Sequence, residues 1–266
     1  MTPTASSEPP AVAQAARPVA AFWLLQVVAL AIASVIVALT LLHGATSLPP
    51  SGAVLLMTAV PTLLAPLFWS GNRAPRRELL GSILSWAFVV LLLTGIAWFA
   101  LGVRIALAPL GLASLVALGI VVVAHLSTSV IEAVLRGMGV QASTARDRSA
   151  WTVTVVLWLA ASTPLWLGPF ADLSARQEPM APTVILASSP LAHLAAAAGH
   201  DVLRGEWFYG HSSLGSLQVD YPRTGTLLVT YLLLAAALSL LLAPMRRWSQ
   251  SAARRASHNS PGESGS

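Results

Sequence analysis

Lysine is missing from this chain: all fifteen of its cationic side chains are arginines. A P-loop of the GxxxxGK[ST] type needs a lysine to reach the β- and γ-phosphates, and Schiff-base chemistry needs a lysine amine, so neither can be built here. Cysteine is missing as well, which excludes disulfides, thiolate nucleophiles and Cys-ligated zinc or iron–sulfur centres. If nucleotide hydrolysis drives this protein, it takes place on another chain. Charge of either sign is scarce, at 9% of 266 residues, where a soluble domain carries roughly 25%. Water is not the main solvent of such a chain.

What is present instead is apolar length. Hydrophobic residues make up 56% of the sequence and the mean hydropathy is +0.73. A helix needs about 20 residues to cross the hydrocarbon core, and six stretches qualify as candidate spans: 19–42, 53–70, 79–101, 106–126, 151–170 and 225–244. The second holds Pro61 and Pro66 and is expected to kink. Only Gly102 to Ile105 separate the third from the fourth, which predicts a tight hairpin. Aromatic residues such as Trp23, Trp69, Trp98, Trp151 and Trp248 mark span ends, as amphipathic rings do at the interface. Residues 1–18 hold Glu8, four prolines and a single arginine before a long apolar run, so they read as a tail ahead of a retained first span rather than a cleaved signal peptide. The tails 1–18 and 249–266 lack apolar periodicity and are expected to be disordered, which leaves 19–248 as the membrane domain.

The arginines orient these spans. With the N-terminus in the cytoplasm, eleven of them fall inside and only Arg104, Arg176, Arg204 and Arg223 outside; the opposite orientation inverts the ratio. The positive-inside rule therefore places both ends in the cytoplasm. Counting acids, the inside carries +6 and the outside −1. The basic balance thus reflects topology and anionic membrane lipids, not nucleic acid. A seventh apolar stretch, 181–199, would strand four C-terminal arginines outside if it crossed. It is expected instead to dip in over 183–188, break at Ser189–Pro190 and return as a helix over 191–204, inside an outer loop spanning 171–224.

Three groups of polar residues stand out. His125, Ser129, Glu132 and Arg136 are spaced by 4, 3 and 4, which puts them on one helical face at the cytoplasmic end of span four, with Glu132 and Arg136 paired. They would line a route or meet a cytoplasmic partner. Arg73, Arg76 and Arg77 crowd the loop after span two, where they anchor the hairpin or dock an acidic partner. The outer loop combines Pro190, His200, Asp201, Arg204, Trp207, Tyr209 and His211. His193 and His200 would share a helical face, Asp201 would pair with Arg204, and the aromatics would form a cap at headgroup level. Metal binding would need a tight motif such as HExxH, which is absent, so neither a metal nor a cofactor is expected. Small residues are expected at helix contacts, notably Gly111, Ser114 and Gly119 in span four and Ala31, Ser34 and Ala38 in span one. Span six is uniform enough to face lipid broadly.

The whole layout resembles the permease subunit of a type-2 ABC exporter: six spans, cytoplasmic ends, a basic loop after span two (RAPRRELLGSILSW) and a broken outer insertion. Ser189, Pro190, Leu191 and Arg204 match a turn that the family often carries before a short helix and an arginine. The resemblance implies a homo- or heterodimer in a bacterial inner membrane, without catalytic residues of its own, driven by a separate ATPase that presses on 71–78 and 127–150. The stretch EWFYGHSSLGSLQVDYP is longer than the family's usual turn. Two other readings compete. IEAVLRG at 131–137 is similar to the EExxxRG signature of intramembrane glutamate proteases, but Ile131 stands where the first glutamate belongs, and general-base chemistry lacks an agent because a lone Glu paired to Arg is held ionised as a poor acid. A non-catalytic scaffold or assembly subunit needs no motif at all. The fold expectation is an all-α polytopic membrane bundle of six transmembrane helices with a broken helical insertion between spans five and six.

Overall fold

A computed structural model of the chain describes residues 27–36, 49–68, 75–99, 102–170, 180–204, 214 and 219–258, with 75–78 and 253–258 as backbone only. The described residues are helical throughout their regular elements: α1 (Val27–Ile36), α2 (Pro50–Leu64) running into a 3₁₀ turn (Ala65–Phe68), α3 (Pro75–Phe99), α4 (Leu107–Gly137), α5 (Ala142–Ala161), α6 (Thr163–Trp166), α7 (Ala181–Ala187), α8 (Pro190–Ala198) and α9 (Thr224–His258). Four of them are long and apolar enough to cross a membrane, over Pro50–Phe68, Leu79–Phe99, Leu107–Gly137 and Thr224–Ala252. The pair α7 and α8 makes a fifth if its two halves are one span.

The helix α4 is the axis of the bundle, packed by α2, α3, α5, α8 and α9. Its inner face is small and branched, with Ala113, Val116, Ala117 and Val121 wholly buried. Two glycines fix how α9 lies on it. A Cβ at Gly119 would lie 2.9 Å from the Tyr231 Cβ, and one at Gly137 would strike the Trp248 ring. Eighteen residues of α4 thus match seventeen of α9, so these two helices run parallel. Close backbone approach of this kind lets dispersion hold helices together where hydrophobic drive is missing. A turn of only four residues joins α4 to α5, which returns antiparallel. Gly139, at φ +86°, makes that turn, with the Val140 N–H bonded back to the Leu135 carbonyl.

Because α5 ends and α9 begins at the same end of the bundle, the chain between them makes no net crossing. The pair α7 and α8 is accordingly a re-entrant corner, bent by 85°. The break falls at Ser188 and Ser189, one residue earlier than the Ser189–Pro190 break expected from the sequence.

Several boundaries differ from expectation. The returning helix stops at Ala198 instead of 204, because Gly199 takes the left-handed conformation (φ 64°) and His200 N–H closes on the Ala195 carbonyl. The helix α5 starts nine residues before 151 and breaks at Ser162, short of 170. Its opening residues, ASTARDRSA, are polar, yet the three alanines and two arginines among them are strong helix formers. Its end follows from Pro164, which has no N–H to offer the Ala160 carbonyl; the Thr163 hydroxyl supplies that bond instead at 2.7 Å. The last helix continues past Pro244 to His258, so residues 249–258 are helical where a disordered tail is expected. Ser249 and Ser251 bond the carbonyls of Arg246 and Arg247 within it. Of the small residues expected at contacts, Gly119, Ala31 and Ser34 are packed, whereas Gly111 faces open space; Ala38 lies outside the described residues. Most of the first span, 19–26 and 37–42, also lies outside them.

Candidate functional site

Non-helical backbone inside a bundle exposes carbonyls and amides that need partners, and the re-entrant corner holds several side-chain hydrogen bonds between elements. Ser189 is the N-cap of α8 and Pro190 its first residue, the pairing that favours a helix start. The Ser189 hydroxyl accepts from the Ala192 N–H at 3.3 Å and donates to the Ala161 carbonyl at 2.9 Å. One fully buried side chain therefore opens α8 and closes α5. Its proton is given to a backbone carbonyl, not to a base, so the hydroxyl is a brace and not a poised nucleophile.

Across the bend, His193 completes the brace. Its Nε2 lies 2.8 Å from the Ala187 carbonyl, which the bend has removed from the helical ladder, and its Nδ1 lies 2.7 Å from the Tyr231 hydroxyl. A carbonyl only accepts, so Nε2 carries the proton; Nδ1 then accepts from Tyr231. The ring is the neutral Nε2-H tautomer, edge-on to the tyrosine with centroids 5.7 Å apart. Three elements, α7, α8 and α9, meet in these two bonds.

Beyond Gly199 the chain carries a second polar group. His200 Nδ1 bonds Ser51 Oγ at 3.1 Å, tying this loop to the start of α2. Asp201 holds Arg204 through its Oδ2 at 3.2 Å and accepts from the Tyr221 hydroxyl at 3.2 Å, while that hydroxyl accepts from the Leu203 N–H. Burial lowers the His200 pKa, against which the Asp201 carboxylate pulls upward. Burial likewise pushes the Tyr221 phenol up to about 12, helped by the negative charge of Asp201. Between this group and the corner lies an apolar hollow of about 210 Å³, lined by Leu63, Trp158, Leu165, Leu186, Leu203 and Tyr221 among others.

The stripe on α4 is present as the spacing predicts, because the helix runs unbroken to Gly137. Glu132 and Arg136 form an ion pair. Ser129 is half-buried, and His125 is buried with 4% of its surface exposed, within electrostatic reach of Arg146 on α5 and Arg246 on α9. Ile131, at the place where a glutamate protease would carry its first carboxylate, points into an apolar groove between α4 and α5. Among the described residues no three His, Asp or Glu side chains converge as metal ligands would.

The remaining candidates fall elsewhere. Arg76 and Arg77 sit in the first turn of α3, which starts on Pro75, and Arg73 lies outside the described residues. So do Trp207, Tyr209 and His211. Pro190, His200, Asp201 and Arg204 all belong to the corner and its flank, but His193 and His200 share no helical face, since Gly199 ends the helix between them. Sequence reasoning overlooks Tyr231 and Gly137. Tyr231 has a signal: it is the one aromatic ring between Thr224 and Arg247, and a phenol in an apolar helix needs a partner. Comparison of the chain with known protein families, curated proteins and solved structures gives no match.

Proposed function

We propose that the chain is the membrane-spanning subunit of a transporter of the type-2 ABC exporter kind, acting as a dimer with energy from a separate ATPase. In this reading α1, α2, α3, α4, the α5–α6 segment and α9 are six crossings, and the arginine distribution sets both ends in the cytoplasm of a bacterial inner membrane. The observation that carries it is the re-entrant pair α7 and α8, bent by 85° at the point where the resemblance calls for a broken outer insertion. The brace of Ser189, His193 and Tyr231 supports the reading, because it couples the corner to both α5 and α9. Motion of either helix would be felt at the outer end of the bundle.

The segment 71–78, with Arg73, Arg76 and Arg77, and the turn between α4 and α5 then form the cytoplasmic face on which the ATPase presses. The test is to express the full chain with the proteins encoded beside its gene and purify it in nanodiscs. An ATP-hydrolysing chain is expected to co-elute, and Arg76→Glu with Arg77→Glu should weaken that association at least several-fold. A chain that never associates with an ATPase removes the reading.

A further inference from the structure

The groove that Ile131 enters is an apolar space on the flank of the bundle that none of the above uses. It has a volume of about 330 Å³ and runs between α4 and α5, from Ile120 to Ile131 on one side and from Ala160 to Val153 on the other. Pro190 and Tyr231 close one end, so the groove stops at the re-entrant corner. Val156 lines it yet keeps 58% of its surface exposed, and the neighbouring Val155 and Leu159 are exposed too. The opening therefore faces sideways, toward whatever surrounds the bundle.

Its dimensions identify the occupant. Ile120 to Ile131 is eleven residues, about 16 Å of helix, close to the roughly 15 Å of one leaflet's hydrocarbon. On α5 the lining stripe of Val153, Leu157 and Ala160 continues backward through Ser149 to Arg146, the same face by helical spacing. Arg246 on α9 lies fifteen residues past Tyr231, about 22 Å along an axis parallel to α4. Arg146 stands in the first turns of α5, just after the turn from α4, and Arg246 stands two residues before Trp248, which packs on Gly137, so both belong to the open end of the groove. An apolar slot one leaflet long, open to the side and with Arg146 and Arg246 at its open end, has the form of a site for a single acyl chain with an anionic head.

We infer that the groove between α4 and α5 binds an anionic phospholipid of the surrounding membrane, one acyl chain lying along Val123, Ile131, Val153 and Leu157 with its end against Pro190, and its phosphate at Arg146 and Arg246. The inference rests on the cytoplasmic placement of those arginines in the reading above, but not on transport or on any ATPase. The chain terminus of the lipid touches the residue that begins α8, so occupancy of the groove bears directly on the braced corner.

Photo-crosslinking of the full-length protein tests this. Phosphatidylglycerol carrying a diazirine on one acyl chain is incorporated into nanodiscs, and labelled peptides are mapped by mass spectrometry. Labelling is expected to concentrate on residues 120–131 and 153–160, several-fold above Leu84, Phe88 and Leu91 of α3, which are exposed and serve as the bulk-lipid control. Phosphatidylcholine with the same chain should label the groove at least about fivefold less, since each basic contact weakened counts for about a factor of five. Ala160→Phe should bring groove labelling down to the level of α3, and Arg146→Gln combined with Arg246→Gln should remove the headgroup preference alone. Equal labelling of groove and α3 in the unaltered protein overturns the inference whatever the variants do. That outcome does not touch the ATPase association, which is read separately.

Discussion

The Tyr231 hydroxyl on α9 gives its proton to His193 Nδ1 on α8 across 2.7 Å, and the same imidazole passes its own proton to the Ala187 carbonyl of α7. A single ring thus joins the three helices that surround the re-entrant corner. Phe at position 231 keeps the ring but leaves His193 without its donor. Tyr231→Phe should lower stability by about 1 kcal/mol, between the ~0.6 average for hydrogen bonds inside membrane proteins and the larger cost of an unsatisfied buried group. Unfolding in mixed micelles would measure it, and an unchanged midpoint would show that the bond does not matter.

Gly137 allows the Trp248 ring to lie directly on the α4 backbone. Gly137→Ala should force the ring out and cost about 1–3 kcal/mol, the range for overpacking. Trp248→Ala should recover most of that loss in the double variant, since the clash is with the ring alone. Additive effects of the two changes would disprove the contact.

Stability should fall as the medium is acidified. His200 is held neutral by burial, so its folded-state pKa lies below the 6.5 of the unfolded chain. Between those two values the unfolded state binds more protons, and stability is lost as pH drops below 6.5. It is fully present above that value. The opposite end of the scale behaves likewise: Tyr221 holds its proton up to about 12 when folded, against about 10 when free, so its contribution is lost above pH 10. A melting series from pH 7 to pH 5 should show the first slope in the unaltered protein and a flatter one in His200→Gln.

The absence of cysteine makes topology easy to probe, because any introduced thiol is the only one. Arg204→Cys, with an 82% exposed side-chain position, should react with a membrane-impermeant maleimide on intact cells. Ser251→Cys should react only after the membrane is opened. Labelling of both from the same side would dismiss six crossings with cytoplasmic ends.

Hydropathy locates where a chain meets lipid, and from it the hairpin at Gly102 and the cores of α2, α3, α4 and α9 can be read. It says little about where a helix ends in water. That is why the polar start of α5 and the arginine-rich end of α9 read as loop and tail, although alanine, arginine and glutamine favour helix in either solvent. The corner was legible because Ser189–Pro190 is a local signal with a local cause. Gly199 is as local, and it sets apart His193 from His200, whose spacing alone implies a shared face. The bond from His193 to Tyr231 joins residues 38 apart. No periodicity encodes such a contact; it exists only once α9 lies parallel to α4.

That parallel arrangement also dictates an order of construction. Two helices that point the same way cannot pair as neighbours in a hairpin do; the chain between them must first travel to the other end. Here that detour is 138–223, so a polypeptide still on the ribosome holds α4 with the flank meant for Tyr231 and Trp248 bare. The later helix of the pair is the one that locks the assembly, and a nascent product cut short before residue 224 would leave the membrane with an open-sided bundle for quality control to clear.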